Sequence, residues 1–91
     1  MIALIKVVEL KVLDHSRLWL RFSDGSEGVR DLSDVIAEGG PMVEPLRDSA
    51  LFARAFVQAG VPSWPNGFDL DAIALHDELA ASGALIRPRA A

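Results

Sequence analysis

The sequence predicts an α+β fold in a single domain: a three-stranded antiparallel meander, short helical turns, a second hairpin and a C-terminal helix. Three observations lead to this prediction. Apolar and polar residues alternate through the first third of the chain, and turn residues separate the alternating runs. The middle third is broken into short segments by Gly39-Gly40-Pro41. Near the C-terminus, apolar residues recur at helical spacing.

The first two strands are predicted from period-two patterns. In residues 5–13, Glu9 and Lys11 alternate with apolar residues, which is typical of a strand with one buried face. The second strand covers residues 18–22, and its apolar side chains fall on one face because successive side chains of a strand point to opposite sides. The residues of this dry face are Leu18, Leu20 and Phe22.

The turn after the second strand sets the register of the third, which is predicted over residues 27–31. The dipeptide Asp24-Gly25 favours a two-residue hairpin turn of type I′. Counting back from such a turn places Trp19 opposite Arg30.

The middle of the chain predicts short elements. Ser33 is a candidate N-cap of a helical turn, and residues 45–50 carry another short helix or turn. Residues 53–59 suit either a strand or a helix by propensity. Phe56 and the turn residues that follow favour a strand, and residues 61–64 would then pair back against it as the second hairpin.

The C-terminal part predicts a capped helix. Asp71 is placed to cap a helix over residues 72–79, which stops near Gly83. We therefore expect residues 1–83 to form one compact domain and residues 84–91 to form a flexible tail.

Composition and charge limit the classes of function. The chain has 91 residues, no cysteine and a net charge of −4. The absence of cysteine excludes disulfides and fits a reducing compartment, so we expect a cytoplasmic protein. An acidic chain attracts phosphate weakly, which disfavours nucleic acid as the sole partner. No run approaches the ~20 apolar residues of a membrane span, so no membrane partner is expected.

Several short motifs occur in order between about residue 7 and residue 75. They are Phe22-Ser23-Asp24-Gly25, Asp31-Leu32-Ser33, Gly40-Pro41, Pro45-Leu46, Phe52, and Trp64-Pro65-Asn66-Gly67 followed by Asp69. On these motifs the chain resembles the small bacterial family known as domain of unknown function 2442. The resemblance implies an α+β domain, sometimes fused to a helix-turn-helix segment, with no established activity and no catalytic residues. It also implies a context in toxin–antitoxin-type gene pairs.

The family-motif loop has a structural and a functional interpretation. We expect Asn66 to adopt a left-handed turn and the carboxylate of Asp69 to bond backbone amides of the same loop. In the alternative, these two side chains present polar groups beside the indole of Trp64 to a small ligand. Pro65 and Gly67 favour the structural interpretation because each fixes backbone geometry.

The best candidate interaction surface is formed by Trp19, Arg21 and Arg30. We expect these three side chains to share the sheet face that points away from the core. An indole flanked by two guanidinium groups suits the acidic or aromatic surface of a partner. The alternative is a cross-strand ladder of cations and aromatic rings that only covers the sheet.

Catalytic and metal sites are not predicted. The two histidines are His15, in a turn, and His76, which we expect at the surface or boundary of the last helix. No serine lies in a recognised nucleophile motif. Asp69, Asp71 and Asp77 are spaced so that too few ligands converge with His76 for a tight metal site. We expect no enzyme activity and no cofactor.

The sequence thus predicts a non-catalytic protein-interaction module, an accessory or antitoxin-like member of a toxin–antitoxin-type gene pair. A small basic protein suits the acidic balance of residues 31–91, which hold four basic and nine acidic groups. A homodimer through an exposed sheet edge is a further possibility. The alternatives are a nucleic-acid-associated transcriptional regulator and a small-ligand-binding domain.

Overall fold

A computed structural model of the chain describes residues 4–88. The predicted α+β architecture is confirmed, with five strands, three α-helices and a 3₁₀ helix among these residues. In chain order the elements are β1 (Val7–Val12), β2 (Arg17–Phe22), β3 (Glu27–Asp31), α1 (Ser33–Glu38), the 3₁₀ helix (Glu44–Arg47), α2 (Ser49–Phe52), β4 (Phe56–Gln58), β5 (Val61–Ser63) and α3 (Ala72–Ala81).

The first sheet has the order β1-β2-β3 and is antiparallel throughout. Leu20 lies opposite Leu10 on one side and Gly28 on the other, so the central strand is paired along both edges. A bulge between Val7 and Glu9 shifts the register of β1. The bulge leaves Val8 exposed, since an extra residue in one strand breaks the alternation of side chains.

The register between β2 and β3 differs from the prediction by one residue. Trp19 lies opposite Val29, so the expected pairing of Trp19 with Arg30 is wrong. The loop has three residues instead of two: the Phe22 amide donates to the Ser26 carbonyl at 2.8 Å. Gly25 is the only loop residue with a positive φ, at 86°, as in a type I turn followed by a left-handed glycine.

The second hairpin is confirmed as β4 and β5, joined by Ala59 and Gly60. Both loop residues have positive φ, 52° and 79°, which is the geometry of a type I′ turn. Residues 53–55 lie outside any strand, so only the end of the ambiguous segment 53–59 is extended. The amide of Val7 donates to the Gly60 carbonyl at 2.8 Å and attaches this hairpin to β1.

The helix-start predictions had different outcomes. Asp71 caps α3 as predicted, because its Oδ1 accepts a hydrogen bond from the Ile73 amide at 3.2 Å. Ser33 is not an N-cap; it is the first residue of α1. The carboxylate of Asp31 accepts from the Ser33 amide at 2.9 Å and satisfies the donor that a cap would have satisfied.

The core lies against the inner face of the first sheet, under α3 and the short helices. The predicted dry face of β2 is confirmed as buried. The remaining core comes from every later part of the chain, which indicates that the two sheets and the helices share a single core. The buried apolar residues are Val7, Leu18, Leu20, Phe22, Leu32, Leu46, Phe52, Trp64, Ala72, Leu75 and Leu79.

The segment after α3 runs beside β3. The amide of Ile86 donates to the Glu27 carbonyl at 2.7 Å, and the Glu27 amide donates back to Ile86 at 2.9 Å. Residues 84–88 of the predicted tail therefore include a two-bond attachment to the sheet edge. Residues 89–91 of that prediction lie outside the described residues.

Candidate functional site

The outer face of the first sheet carries the indole of Trp19 between two cations. Lys11 lies opposite Trp19 on β1, and its Nζ is 5.0 Å from the centre of the ring. The Arg21 guanidinium carbon lies 5.3 Å from the same centre, and Arg21 also bonds Glu9 at 2.9 Å. The indole is thus half-buried under two charged side chains, a geometry in which cation and aromatic ring attract each other.

Arg30 does not belong to this face, and its expected grouping with Trp19 and Arg21 is wrong. It lies opposite Leu18, so its side chain is on the inner side of the sheet and is only 16% exposed. Its guanidinium bonds Asp34 of α1 at 2.9 Å and Glu78 of α3 at 3.0 Å. The Asp34 carboxylate raises the pKa of Arg30, and Glu78 adds to this against the effect of burial. Arg30 therefore connects the sheet to α1 and α3 through two ion pairs.

Apolar side chains complete the outer sheet face. Leu13 and Val29 are 46% and 39% exposed and Val8, at the bulge next to Glu9, is 56% exposed, so no element of the described chain covers them. Leu13 continues β1 on this face because its amide donates to Arg17 at 2.9 Å. We call Val8, Lys11, Leu13, Trp19, Arg21 and Val29 the outer sheet surface.

The family-motif loop is a second three-residue loop. The Gly67 amide donates to the Trp64 carbonyl at 3.0 Å, and the Trp64 amide donates to Phe68 at 2.9 Å. Gly67 has a φ of 93°, whereas Asn66 is not among the residues with positive φ. The expected left-handed Asn66 is therefore wrong, because the glycine takes that conformation at lower steric cost.

The side chain of Asn66 fixes the loop in another way. Its Oδ1 accepts from the Phe68 amide at 3.4 Å, and its Nδ2 donates to the Met42 carbonyl at 2.9 Å. The expected role of Asp69 is wrong, since its carboxylate bonds no backbone amide within residues 4–88. Instead its backbone bridges Ser63, and the chain after the loop runs antiparallel to β5.

Trp64 is a core residue and does not line a binding pocket. It is 1% exposed, and its indole N–H donates to the Phe52 carbonyl at 3.0 Å. The rings of Phe52 and Phe68 both lie with their centroids 5.7 Å from the indole. The structural interpretation of the loop accounts for all these contacts, since the indole is surrounded and its one donor is satisfied.

His76 is more deeply buried than the surface or boundary position that the sequence predicted. It is buried on α3, and its Nε2 lies 3.0 Å from Asp24 Oδ2 in the β2–β3 loop. Its ring also meets Phe22 edge-on at 5.1 Å. The signal was present in the spacing: His76 follows Ala72 by four residues, so it lies on the buried stripe of the helix.

The environment of Asp24 explains its charge state. Burial raises its pKa, but the hydroxyl and amide of Ser26 and then His76 outweigh burial and lower the pKa to about 2. The Ser26 hydroxyl donates to Asp24 at 2.5 Å and does not reach His76 as an activated nucleophile would. Ser26, Asp24 and His76 therefore form a polar cluster that links the β2–β3 loop to α3.

Residues 4–88 form at least two cavities that open on the surface. The larger, about 510 Å³, lies between α1, the 3₁₀ helix and the turn after β1. Its lining combines polar and apolar residues and includes His15, Ser33, Ile36, Ala37, Leu46 and Arg47. The smaller, about 350 Å³, lies between β3 and the end of α3.

Two negative findings apply to residues 4–88. No three His, Asp or Glu side chains there converge on a point that could hold a metal ion. No helix in this part of the chain combines the length and the apolar character that crossing a bilayer requires.

The meander, the second hairpin and the capped terminal helix define a small α+β protein. Two of its three-residue loops, 23–25 and 65–67, each contain a glycine with positive φ and follow a buried aromatic residue. The chain matches the family described as protein of unknown function (DUF2442) over residues 7–80, and it belongs to that family. The matched stretch contains both loops and the whole first sheet. Comparison with curated proteins finds no match, and comparison with solved structures finds none either.

Proposed function

We propose that this protein is a non-catalytic protein-interaction module that binds a partner protein through its outer sheet surface. In this proposal it is the accessory or antitoxin-like member of a toxin–antitoxin-type gene pair. The observation that carries the proposal is the contrast between the two faces of one sheet. The inner face is buried, whereas the outer face presents Trp19 with three exposed aliphatic side chains and no covering element in the described chain.

The chemistry of the outer sheet surface suggests what it contacts. Lys11 and Arg21 lie over the half-buried indole of Trp19, and Arg21 is also paired with Glu9. A partner that places aliphatic or aromatic side chains against the exposed Val8, Leu13 and Val29, with a carboxylate at Lys11, would satisfy both the apolar and the charged part of this surface. Tryptophan and arginine are the residue types that most often carry interface energy.

The overall charge suggests how such a partner approaches. With a net charge of −4, the chain attracts a small basic protein over long range. Nucleic acid is a weaker candidate because the described arginines of the first sheet are already paired: Arg17 with Asp14 at 2.7 Å, and Arg21 with Glu9. An arginine engaged by a carboxylate has less to offer a phosphate.

The test is capture with matched variants. The chain is used as bait in a lysate of its source cell, and the captured protein is then purified and its Kd is measured. Trp19→Ala should weaken binding at least about tenfold, as interface tryptophans do. Phe56→Ala is the control, because Phe56 is 41% exposed but lies on β4, outside the outer sheet surface. Equal binding by the Trp19 and Phe56 variants would reject this surface as the site.

The larger cavity supports a second candidate function, a small-ligand-binding domain. Its lining includes the apolar residues Ile36 and Leu46 and the polar residues His15, Ser33 and Arg47. Such a cavity fits a small apolar carboxylate, which would compete with Glu44, 3.5 Å away, for the Arg47 guanidinium while the aliphatic groups cover its body. Benzoate is a suitable probe: titration should shift the backbone NMR signals of Ala37 and Leu46, and Arg47→Ala should abolish the shifts. Unchanged spectra at millimolar benzoate would reject the site.

A further inference from the structure

We propose that the free edge of β1 pairs in antiparallel fashion with β1 of a second copy of this chain, with Leu10 on the twofold axis. This inference goes beyond the proposed function: the occupant is the chain itself, and the surface is a strand edge. Three features of β1 support this pairing: its open edge, the charge pattern along the strand and the incomplete burial of the side chains beside the edge.

Within residues 4–88, the C-terminal half of β1 has no backbone hydrogen-bond partner on the edge away from β2. β1 is the outermost strand of its sheet, and the Leu13 amide bonds β2, so Glu9 and Lys11 also direct their backbone groups towards β2. By alternation, the amide and carbonyl groups of Leu10 and Val12 point away from the sheet. Within residues 4–88 they have no backbone partner outside it. Within residues 4–88 the β4–β5 hairpin bonds the β1 backbone at Val7, through Gly60, and both of its strands also lie close to β1.

The residues along this edge are self-complementary. The segment Val8-Glu9-Leu10-Lys11-Val12 reads apolar, acidic, apolar, basic, apolar. When two such strands pair antiparallel about Leu10, Glu9 of each copy lies directly opposite Lys11 of the other. Opposite charges directly across a strand pair stabilise it, and like charges destabilise it.

The charge pattern also selects the register. An axis at Lys11 would use the same open backbone groups but would place two lysines face to face, which is unfavourable. With the axis at Leu10, each Glu9 lies between Arg21 of its own chain, 2.9 Å away, and Lys11 of the second copy. The alternating charges then continue across both sheets.

The apolar side chains beside the edge are incompletely buried. Leu10 and Val12 face the core side but are only half-buried, unlike Leu18 and Leu20 on the neighbouring strand. A second copy would cover them, since the edge of one sheet would be extended by the edge of the other. The bulge at Val8 ends the free edge on one side, so the pairing is short and the dimer is expected to form in the micromolar range or weaker.

Charge-exchange variants test the inference on the purified full chain. Glu9→Lys produces two lysines at the edge, and Lys11→Glu produces two glutamates. Each variant alone should dimerise at least about tenfold more weakly than the wild-type chain in sedimentation equilibrium. An equimolar mixture of the two variants should recover a dimer containing one copy of each, detectable by native mass spectrometry.

Controls separate this result from effects on net charge and on folding. Glu27→Lys changes the net charge as Glu9→Lys does but lies on β3, and it should leave the dimer intact. Circular dichroism melts check that each variant is folded. Three results would overturn the inference: a wild-type chain that stays monomeric at about 1 mM, a mixture that fails to form the mixed dimer, or equal weakening by Glu27→Lys. None of these touches the proposed binding by Trp19, which the bait experiment tests separately.

Discussion

Two loops of this molecule have the same backbone and different side-chain partners. In the first, residues 23–25 join Phe22 to Ser26; in the second, residues 65–67 join Trp64 to Phe68. Each has a glycine with positive φ at its third position, 86° and 93°. In each, the middle residue is Asp or Asn, and one side-chain oxygen accepts from the amide two residues ahead.

The loops differ in what the second side-chain atom of that middle residue holds. Asp24 directs its other oxygen to His76 on α3, a partly buried contact with an ionised group. Asn66 directs its amide nitrogen to the Met42 carbonyl, a neutral contact at the surface. In both loops, the side-chain oxygen that accepts from the amide two residues ahead fixes the local turn. The other polar atom of the same side chain determines which distant segment the turn contacts.

The largest expected effect concerns the aromatic residue that precedes each loop. Trp64→Phe should cost about 2–3 kcal/mol of unfolding free energy, because the Phe52 carbonyl loses its donor in a buried site. Phe22→Leu loses packing but strands no polar group, so it should cost less, about 1–1.5 kcal/mol. Urea unfolding of both variants measures the difference. If Phe22→Leu lowers the unfolding free energy more than Trp64→Phe does, the indole hydrogen bond is not the main stabilising contact of the residue before the second loop.

The next effect concerns the loop glycines. Gly25→Ala and Gly67→Ala should each cost about 1–2 kcal/mol, since both require a left-handed backbone. Gly25→Ala should cost more, because its Cβ would lie 3.3 Å from Pro88, whereas that of Gly67 would lie 3.5 Å from Met42. Chemical denaturation measures both. Asparagine at either position should recover part of the loss, and a failure to do so would mean that space, not φ, is limiting.

Exchanging the middle residues is expected to have a smaller effect. Asp24→Asn and Asn66→Asp should each cost about 1 kcal/mol at pH 7, because each retains the local turn but weakens the distant contact. The pH dependence separates them. The lowered pKa of Asp24 means that its carboxylate stabilises the fold above its ordinary pKa of 3.8, and that this contribution is lost as the pH falls towards 2.

Thermal melts between pH 5 and pH 2 measure that loss. The Asp24→Asn variant should lose less stability over this range than the wild-type chain. Asp14→Asn is a positive control, because the Ser16 amide and Arg17 also lower the pKa of Asp14 to about 2, so this variant should likewise lose less stability than the wild-type chain over this range. Identical pH profiles for the wild-type chain and Asp24→Asn would remove Asp24 as the source.

The smallest effect comes from a third loop and has the opposite sign. Ala59 has a φ of 52° without being a glycine, so its backbone is strained in the native state. Ala59→Gly should stabilise the protein by about 0.5–1 kcal/mol, measured as a raised Tm. Gly60→Ala is the contrasting variant: its Cβ would lie 2.9 Å from the side chain of Lys6, so this change should lower the Tm of the protein. A lowered Tm for Ala59→Gly would contradict this.

The sequence was a good guide where neighbouring residues decide the structure. The alternation in β2 correctly predicted the burial of Leu18 and Leu20, and Asp71 correctly predicted the start of α3. It failed at the β2–β3 loop because Asp-Gly suits both a two-residue and a three-residue turn. The three-residue turn occurs together with a contact between Asp24 and His76. These two residues are 52 positions apart in the sequence, so a local pattern does not reveal the contact.

The candidate site shows the same limit. A shift of one residue in register moved Arg30 from the face of Trp19 to the helix side, because successive side chains of a strand alternate. Trp19 and Arg21 stayed together since both are on β2, where no register is needed to relate them. The start of α1 shows the same limit. The sequence predicted Ser33 as the capping residue, but the side chain that accepts from the first helical amide belongs to Asp31, two residues earlier.

The two indoles give the molecule a pair of built-in optical reporters. Trp64 is enclosed and should emit in the blue, out of reach of dissolved iodide, until the chain unfolds. Trp19 lies beside Lys11 and Arg21, whose positive charge draws iodide to the ring, so its emission should be quenched strongly in the free protein. Loss of that quenching on adding another protein would report occupancy of this face, while the blue component independently confirms that the fold is intact.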